Sequence, residues 1–241
     1  MRVQSQPAYV LHTRPYRETS LILEVFSRTY GRLGLVAKGA RNPKSRLRAL
    51  LLPFQSLLIN WSGKGELALL TGVEATGPAS ELSGQARYAS YYLNELVIRL
   101  LHRHDAHEDL FDRYSGVLAE LYDDVSIQES LRVFEKHLLA EIGYGLILDR
   151  DAVTGKSLDP DKLYQYIPDR GPEQRTTGSQ SELCVLGSSL LDLHQESFRS
   201  GRSRHESRKL TRYLIDHQLP GRALHSRQIF HQVLSRIESQ A

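Results

Sequence analysis

The chain has 241 residues, 40% of them hydrophobic, with 31 Lys and Arg against 28 Asp and Glu for a formal charge of +3, which allows one large core or two modest ones, with two expected. Its one cysteine, Cys184, excludes an intramolecular disulfide and a cysteine-rich zinc module, and points to a reducing, cytoplasmic compartment. The N-terminal MRVQSQPAYVLHTRPYRETS lacks a signal-peptide core and no apolar run approaches the roughly 20 residues that cross a bilayer, so no membrane association is expected.

Residues 1–79 read as β structure. AYVLHTR and ETSLILEVFS are short and rich in β-branched, aromatic and leucine residues, and GRLGLVAKGA follows a Tyr30-Gly31 turn signal. FQSLLINWSGKGELALLTGVEAT reads as a hairpin, two apolar runs about the turn Ser62-Gly63-Lys64-Gly65. Five strands in so short a span cannot leave their edges bare, so a small closed barrel of the OB type is expected.

The texture changes after Gly77-Pro78. Apolar residues then recur at three- and four-residue spacing: Leu93, Leu96, Val97, Leu100 and Leu101 in one helix, and Leu110, Phe111, Tyr114, Leu118 and Leu121 in a second over about 107–122. A third carries Leu131, Phe134, Leu138 and Ile142, and Gly143-Tyr144-Gly145 closes it. Residues 149–182 are rich in Gly, Pro, Asp and Thr and contain one strand-like piece, KLYQYI. Further helices are expected near 186–198, near 202–217 and over SRQIFHQVLSRIE, where Ser226 can cap. The expected class is α+β, an N-terminal OB-fold β-barrel over 1–79 followed by a mainly α-helical domain over 80–241 with a loop-rich insert at about 149–182.

No catalytic constellation emerges. TGKS at 154–157 looks like the end of a phosphate-binding loop, but the required first glycine falls on Arg150. In HRHDAHED, His104 and His107 would share a helix face, whereas His102 is turned about 200° from His104, so one helix cannot offer all three to one ion. A polar helix end leading into a turn is the plainer reading. With no G-x-S-x-G elbow and no paired carboxylates, the chain is expected not to be an enzyme and to need no cofactor or metal.

Charge is distributed unevenly instead. Between Val25 and Gly65 stand Arg28, Arg32, Lys38, Arg41, Lys44, Arg46, Arg48 and Lys64, eight cations without one Asp or Glu. Solvated faces ordinarily mix signs, so a run like this carries repulsion that a polyanion would relieve. Tyr16, Tyr30, Phe54 and Trp61 are candidate stacking platforms for bases, although strand aromatics more often face inward. A second basic group, FRSGRSRHESRKLTRYLIDH, places Arg204, Arg208 and Arg212 on one helical stripe, with Leu210, Tyr213 and Leu214 marking the buried side.

The stretch YVLHTRPYRETSLILEVFSRTYGRLGLVAKGAR, residues 9–41, resembles the N-terminal signature of the RecO family of bacterial recombination mediators, and YYLNELVIRLL and LRVFEKHLLAEIGYGL resemble its helical domain. The resemblance implies a non-catalytic DNA-repair protein that binds single- and double-stranded DNA and anneals complementary strands without ATP. It implies RecR as a partner, RecA as the recombinase loaded, and recognition of the C-terminal tail of the single-stranded-DNA-binding protein, SSB. Residue by residue, Lys38, Gly39, Ala40 and Arg41 match the family's AKGAR position. Arg132, in LRVFE, matches a cationic position suited to an acidic tail, with Leu131 and Phe134 as neighbours. Many members carry a four-cysteine zinc module in the insert; DRDAVTGKSLD has none, so the insert is expected to be held by packing alone.

The expected DNA-binding residues are thus Lys38, Arg41, Lys44, Arg46 and Arg48, with Arg204, Arg208 and Arg212 auxiliary. The expected SSB-tail residues are Leu131, Arg132 and Phe134. The competing reading is a non-catalytic adaptor whose basic patches bind acidic protein tails rather than DNA.

Overall fold

In the computed structural model, which describes residues 1–77, 82, 84–122, 126–175, 183–221 and 223–229, the short apolar segments form β1 (Arg2–Tyr16), β2 (Ser20–Ser27), β3 (Gly31–Ala37), β4 (Leu57–Ser62) and β5 (Leu67–Ala75). They close into a barrel in the order β1-β2-β3-β5-β4, with β3 and β5 parallel and the other pairs antiparallel. Closure removes the exposed edges, as expected for an OB-type barrel. Leu23, Val25, Leu33, Leu35, Leu57 and Ile59 fill the interior, while a single helical turn, α1 (Leu47–Leu50), lies between β3 and β4.

Part of the other face of β1 and β2 is also apolar, and that part is covered. Tyr9 and Phe26 meet Phe111 and Tyr114 of α3 (Glu108–Tyr122) with ring centroids 5.1–5.8 Å apart. Beside α3 packs α2 (Gly84–Leu100). The β1–β2 register skips Leu11, a β-bulge that takes its carbonyl out of the ladder. Asn94 of α2 donates to that carbonyl at 2.8 Å, and Asn94 in turn accepts from the Tyr114 hydroxyl. A bulge that would otherwise leave a buried acceptor unsatisfied thus becomes the anchor of two helices. Burial pushes the Tyr114 phenol well above its ordinary range.

HRHDAHED is not the end of α2, as the sequence suggested: residues 102–107 lie in the connection between α2 and α3, and Glu108 and Asp109 open α3. The connection lies against β3: the His104 amide donates to the Arg32 carbonyl at 2.8 Å, and His104 itself has φ of +61°. Gly31 permits the approach, since it has φ of +62° and a Cβ there would stand 1.8 Å from the Asp105 carbonyl oxygen. Among the described residues no group of three or more His, Cys, Asp or Glu side chains is placed to hold a metal ion. Nor is any described helix long and apolar enough to cross a membrane.

Two compact units result, Met1–Val125 with Leu224–Ala241, and Ser126–Ala223. The second contains α4 (Ile127–Glu141), a three-stranded sheet of β6 (Leu163–Ile167), β7 (Gly171–Gln174) and β8 (Cys184–Leu186), then α5 (Gly187–Gln195) and α6 (Gly201–Gln218). Both α4 and α5 pack on α6.

The insert is not held by packing alone. The buried Asp151 accepts from the Val153 and Thr154 amides at 3.0 and 2.7 Å and from the Thr154 hydroxyl at 2.9 Å, and its other oxygen accepts from the Gln174 amide at 2.8 Å. Burial alone would raise this carboxyl, but these hydrogen bonds hold it below the ordinary carboxylate range. Thr154 of TGKS is therefore engaged in a structural turn.

In the first unit, residues 225–229 begin a helix whose start is held by α2. The Glu95 carboxylate accepts from the His225 and Ser226 amides at 2.9 and 2.8 Å and from the Ser226 hydroxyl at 2.6 Å. A carboxylate on otherwise unpaired N-terminal amides suits the helix dipole. The rest of SRQIFHQVLSRIE, from residue 230, lies outside the described residues.

Candidate nucleic-acid interface

After β3 ends at Ala37, the chain makes successive turns through Ser45 and enters α1. Gly39, at φ of +69°, makes the first reversal, and the Asn42 and Ser45 amides donate to the carbonyls of Gly39 and Asn42 at 3.1 and 2.9 Å. Three apolar side chains pin this segment to the barrel: Ala40 and Leu51 are buried, and Leu47 packs against the core. Between those anchors Lys38, Arg41, Lys44, Arg46 and Arg48 are all exposed. Among the described residues none of the five forms an ion pair.

Two of the eight cations in the acid-free stretch are compensated from elsewhere. Arg28 binds Asp112 of α3 through two hydrogen bonds of 2.9 Å and also pairs with Glu108. The Asp112 hydrogen bond keeps the Arg28 guanidinium above even its usual high value. Arg32 lies 3.2 Å from Glu24 of the neighbouring strand, and Glu24 also binds Arg103 at 2.5 Å. Burial pulls Arg32 down from its ordinary value, with Glu24 opposing and Arg103 adding to the effect. Both arginines hold the scaffold together.

The barrel also brings in residues that the charge run does not contain. Leu21 pairs with Ala37, so the β1–β2 turn stands beside the end of β3. Two hydrogen bonds join them: the Arg41 amide donates to the Thr19 carbonyl at 2.9 Å and the Arg41 side chain to the Arg17 carbonyl at 3.0 Å. Arg14 and Arg17, both exposed, thereby join the basic surface, together with one acid, the exposed Glu18. The Arg17 guanidinium lies over the Tyr16 ring, 5.1 Å from its centroid. A window chosen for lacking acids excludes this hairpin because of Glu18 and Glu24; only strand pairing places it here.

The four aromatic candidates separate clearly. Trp61 is buried in the barrel, with Tyr30 edge-on to it at 5.1 Å. Phe54 is buried and edge-on to Tyr91 at 5.0 Å. Tyr16 alone of the four lies outside the core, half-buried beneath Arg17.

In the second unit, α6 is capped by Ser200, whose hydroxyl accepts from the Ser203 amide at 3.0 Å. It buries Ser207, Leu210, Thr211, Leu214 and Ile215, while Tyr213 is only half-buried. Arg204, Arg208 and Arg212 share the exposed stripe, as expected, but acids meet them: Arg204 binds Glu129 of α4 at 2.6 Å and Arg212 lies 3.7 Å from Asp216. Arg202 binds Glu206 at 2.7 Å.

The three candidate tail-binding residues stand on α4 in different surroundings. Leu131 is half-buried, Phe134 is fully buried, and Arg132 is buried with its guanidinium paired to Glu135. The Arg132 Nε has no hydrogen-bond partner among the described residues.

Comparison with known proteins adds a separate line of observation. Residues 1–79 match the family profile described as "Recombination protein O N terminal", and residues 83–228 the one described as "Recombination protein O C terminal". The chain is 48% identical over 232 residues to a "DNA repair protein RecO" of Dechloromonas aromatica, covering 95% of this chain and 96% of the relative. It is 46% identical over 229 residues to the protein of that name in Nitrosospira multiformis, covering 95% of each, and 43% identical over 228 residues to that of Aromatoleum aromaticum, again covering 95% of each.

Proposed function

The chain belongs to the RecO family of DNA repair and recombination proteins, and on that premise we propose that it is a cytoplasmic, nucleoid-associated mediator that binds single- and double-stranded DNA. Residues 1–79 form the DNA-binding domain and 80–241 the helical domain. The observation that carries this reading is the group of five exposed cations, Lys38, Arg41, Lys44, Arg46 and Arg48, which meet no acid among the described residues and are fixed to a closed barrel by buried apolar anchors. Arg204, Arg208 and Arg212 are an auxiliary set, of which Arg204 and Arg212 must exchange carboxylate partners for phosphate.

Annealing follows from the same surface. Two complementary strands repel each other through their phosphates, and a cationic platform that neutralises part of that charge lets pairing proceed downhill without ATP. With RecR, the protein helps to load RecA onto SSB-coated DNA, and Arg132, with Leu131 and Phe134, engages the acidic SSB tail. Because Arg132 is buried against Glu135, tail binding draws the guanidinium from Glu135 to the incoming carboxylate.

Titration of single-stranded DNA at several salt concentrations tests the assignment. The native chain gives a log–log slope of about −0.7 per phosphate neutralised; a variant with Arg41, Lys44 and Arg46 changed to Glu binds more weakly and with a shallower slope. Unchanged affinity and slope would overturn the site.

A further inference from the structure

We propose that Tyr16 is a base-stacking platform through which the barrel distinguishes unpaired bases from duplex, an inference that rests on the reading of the neighbouring cations as a DNA surface. Of the four aromatic candidates, Trp61, Tyr30 and Phe54 are committed to packing. Tyr16 has no aromatic neighbour among the described residues, and the group against its face is a guanidinium. An arginine lying over a ring can leave for a phosphate while an apolar neighbour cannot, so this face can be vacated for a base.

Register puts the ring where a strand would pass. Arg14 pairs with Ile22, and Ile22 with Val36, so the three form one row across the barrel's outer face. Tyr16 pairs with Ser20 on the next row of that face, and the adjoining Leu21–Ala37 pair ends one residue before Lys38. Phosphates held by Lys38 and Arg41 therefore run beside the ring.

The backbone also prepares the contact. Arg17 has φ of +50°, in the left-handed region that a non-glycine residue occupies at a cost. The Arg41 side chain holds this conformation by donating to the Arg17 carbonyl at 3.0 Å. That strained residue sets the guanidinium over the Tyr16 ring and ties it to a DNA-contacting arginine. When Arg17 swings to a phosphate, an unstacked base takes the ring face. Bases in a duplex are already stacked on their neighbours and cannot.

The test compares Tyr16→Ala, Tyr16→Leu and Tyr16→Trp in the full chain, measuring affinity and salt slope with single-stranded and duplex DNA. The proposal expects Ala and Leu to weaken single-strand binding about tenfold with unchanged salt slope and unchanged duplex affinity, and Trp to restore it. Arg17→Ala is expected to reduce the slope by about 0.7. A 2-aminopurine base in the strand should lose fluorescence on the native chain and keep it on Tyr16→Leu. Equal losses for strand and duplex, or no loss for either, would overturn the proposal. If that happened while Arg41, Lys44 and Arg46 changed to Glu still removed binding, the DNA surface would stand without the stacking platform. Normal binding by that triple variant would remove both.

Discussion

The turn after β3 and the exposed stripe of α6 are both arginine-rich, yet their side chains are in different states. On α6, Arg202, Arg204 and Arg212 already have carboxylates, and Glu129, the partner of Arg204, is 75 residues away in sequence. On the turn, Lys38, Arg41, Lys44, Arg46 and Arg48 face outward without an ion pair among the described residues. An exposed ion pair contributes little to stability, but it does lower the local field and must be broken before a phosphate can replace the acid. Charge that is already balanced is a poor primary contact for a polyanion. Uncompensated charge on a rigid support is a good one.

The comparison is sharpened most by charge reversal on the turn. Changing Arg41, Lys44 and Arg46 to Glu should weaken single-strand binding about a hundredfold at low salt and reduce the salt slope by about 2, as read by fluorescence anisotropy. Next in size is a change confined to the second unit. Asp151→Ala removes the acceptor of four hydrogen bonds and should destabilise that unit by about 2 kcal/mol, measured by denaturant melts, with single-strand affinity nearly unchanged. A parallel loss of binding would break the distinction between the two regions.

Acid acts in the same place. Asp151 is held below its ordinary value in the folded chain, so its contribution is complete above the unfolded value of about 3.9. It drains away as pH falls through the lower folded value. Melts from about pH 6 to about pH 2 should lose more stability in native protein than in Asp151→Ala. The smallest effects belong to α6. Arg204, Arg208 and Arg212 changed together to Ala should cost less than about threefold in DNA affinity, whereas Glu129→Gln, which releases Arg204, should improve it about twofold. A large loss from the first variant would place the primary contact on α6.

The barrel could be read in the sequence because its signals are local: short segments rich in β-branched, aromatic and leucine residues, the Tyr30-Gly31 turn and the glycine-bearing turn before β5. Helices α2 to α4 followed from three- and four-residue spacing for the same reason. What escaped depends on distant partners. The acid-free run held no clue that Asp112 and Glu108 would neutralise Arg28 or that Glu24 would meet Arg32. Arg14 and Arg17 stand beside the run through a hairpin outside it, and Arg132, read as a cation suited to an acidic tail, is buried against Glu135. The insert lacked cysteines, and Asp151, a carboxylate that organises it, resembled any other aspartate in a loop.

The carboxylate of Glu95 holding His225 and Ser226 has a topological consequence. The first unit is discontinuous in sequence, with Ser126–Ala223 interposed, so the backbone leaves it and returns. A protease that cuts at one crossing separates the chain into two fragments that stay together only through the non-covalent docking of the returning segment. Limited digestion should therefore pass through a nicked species of undiminished mass under native conditions, with Glu95→Ala hastening the cut near the returning strand.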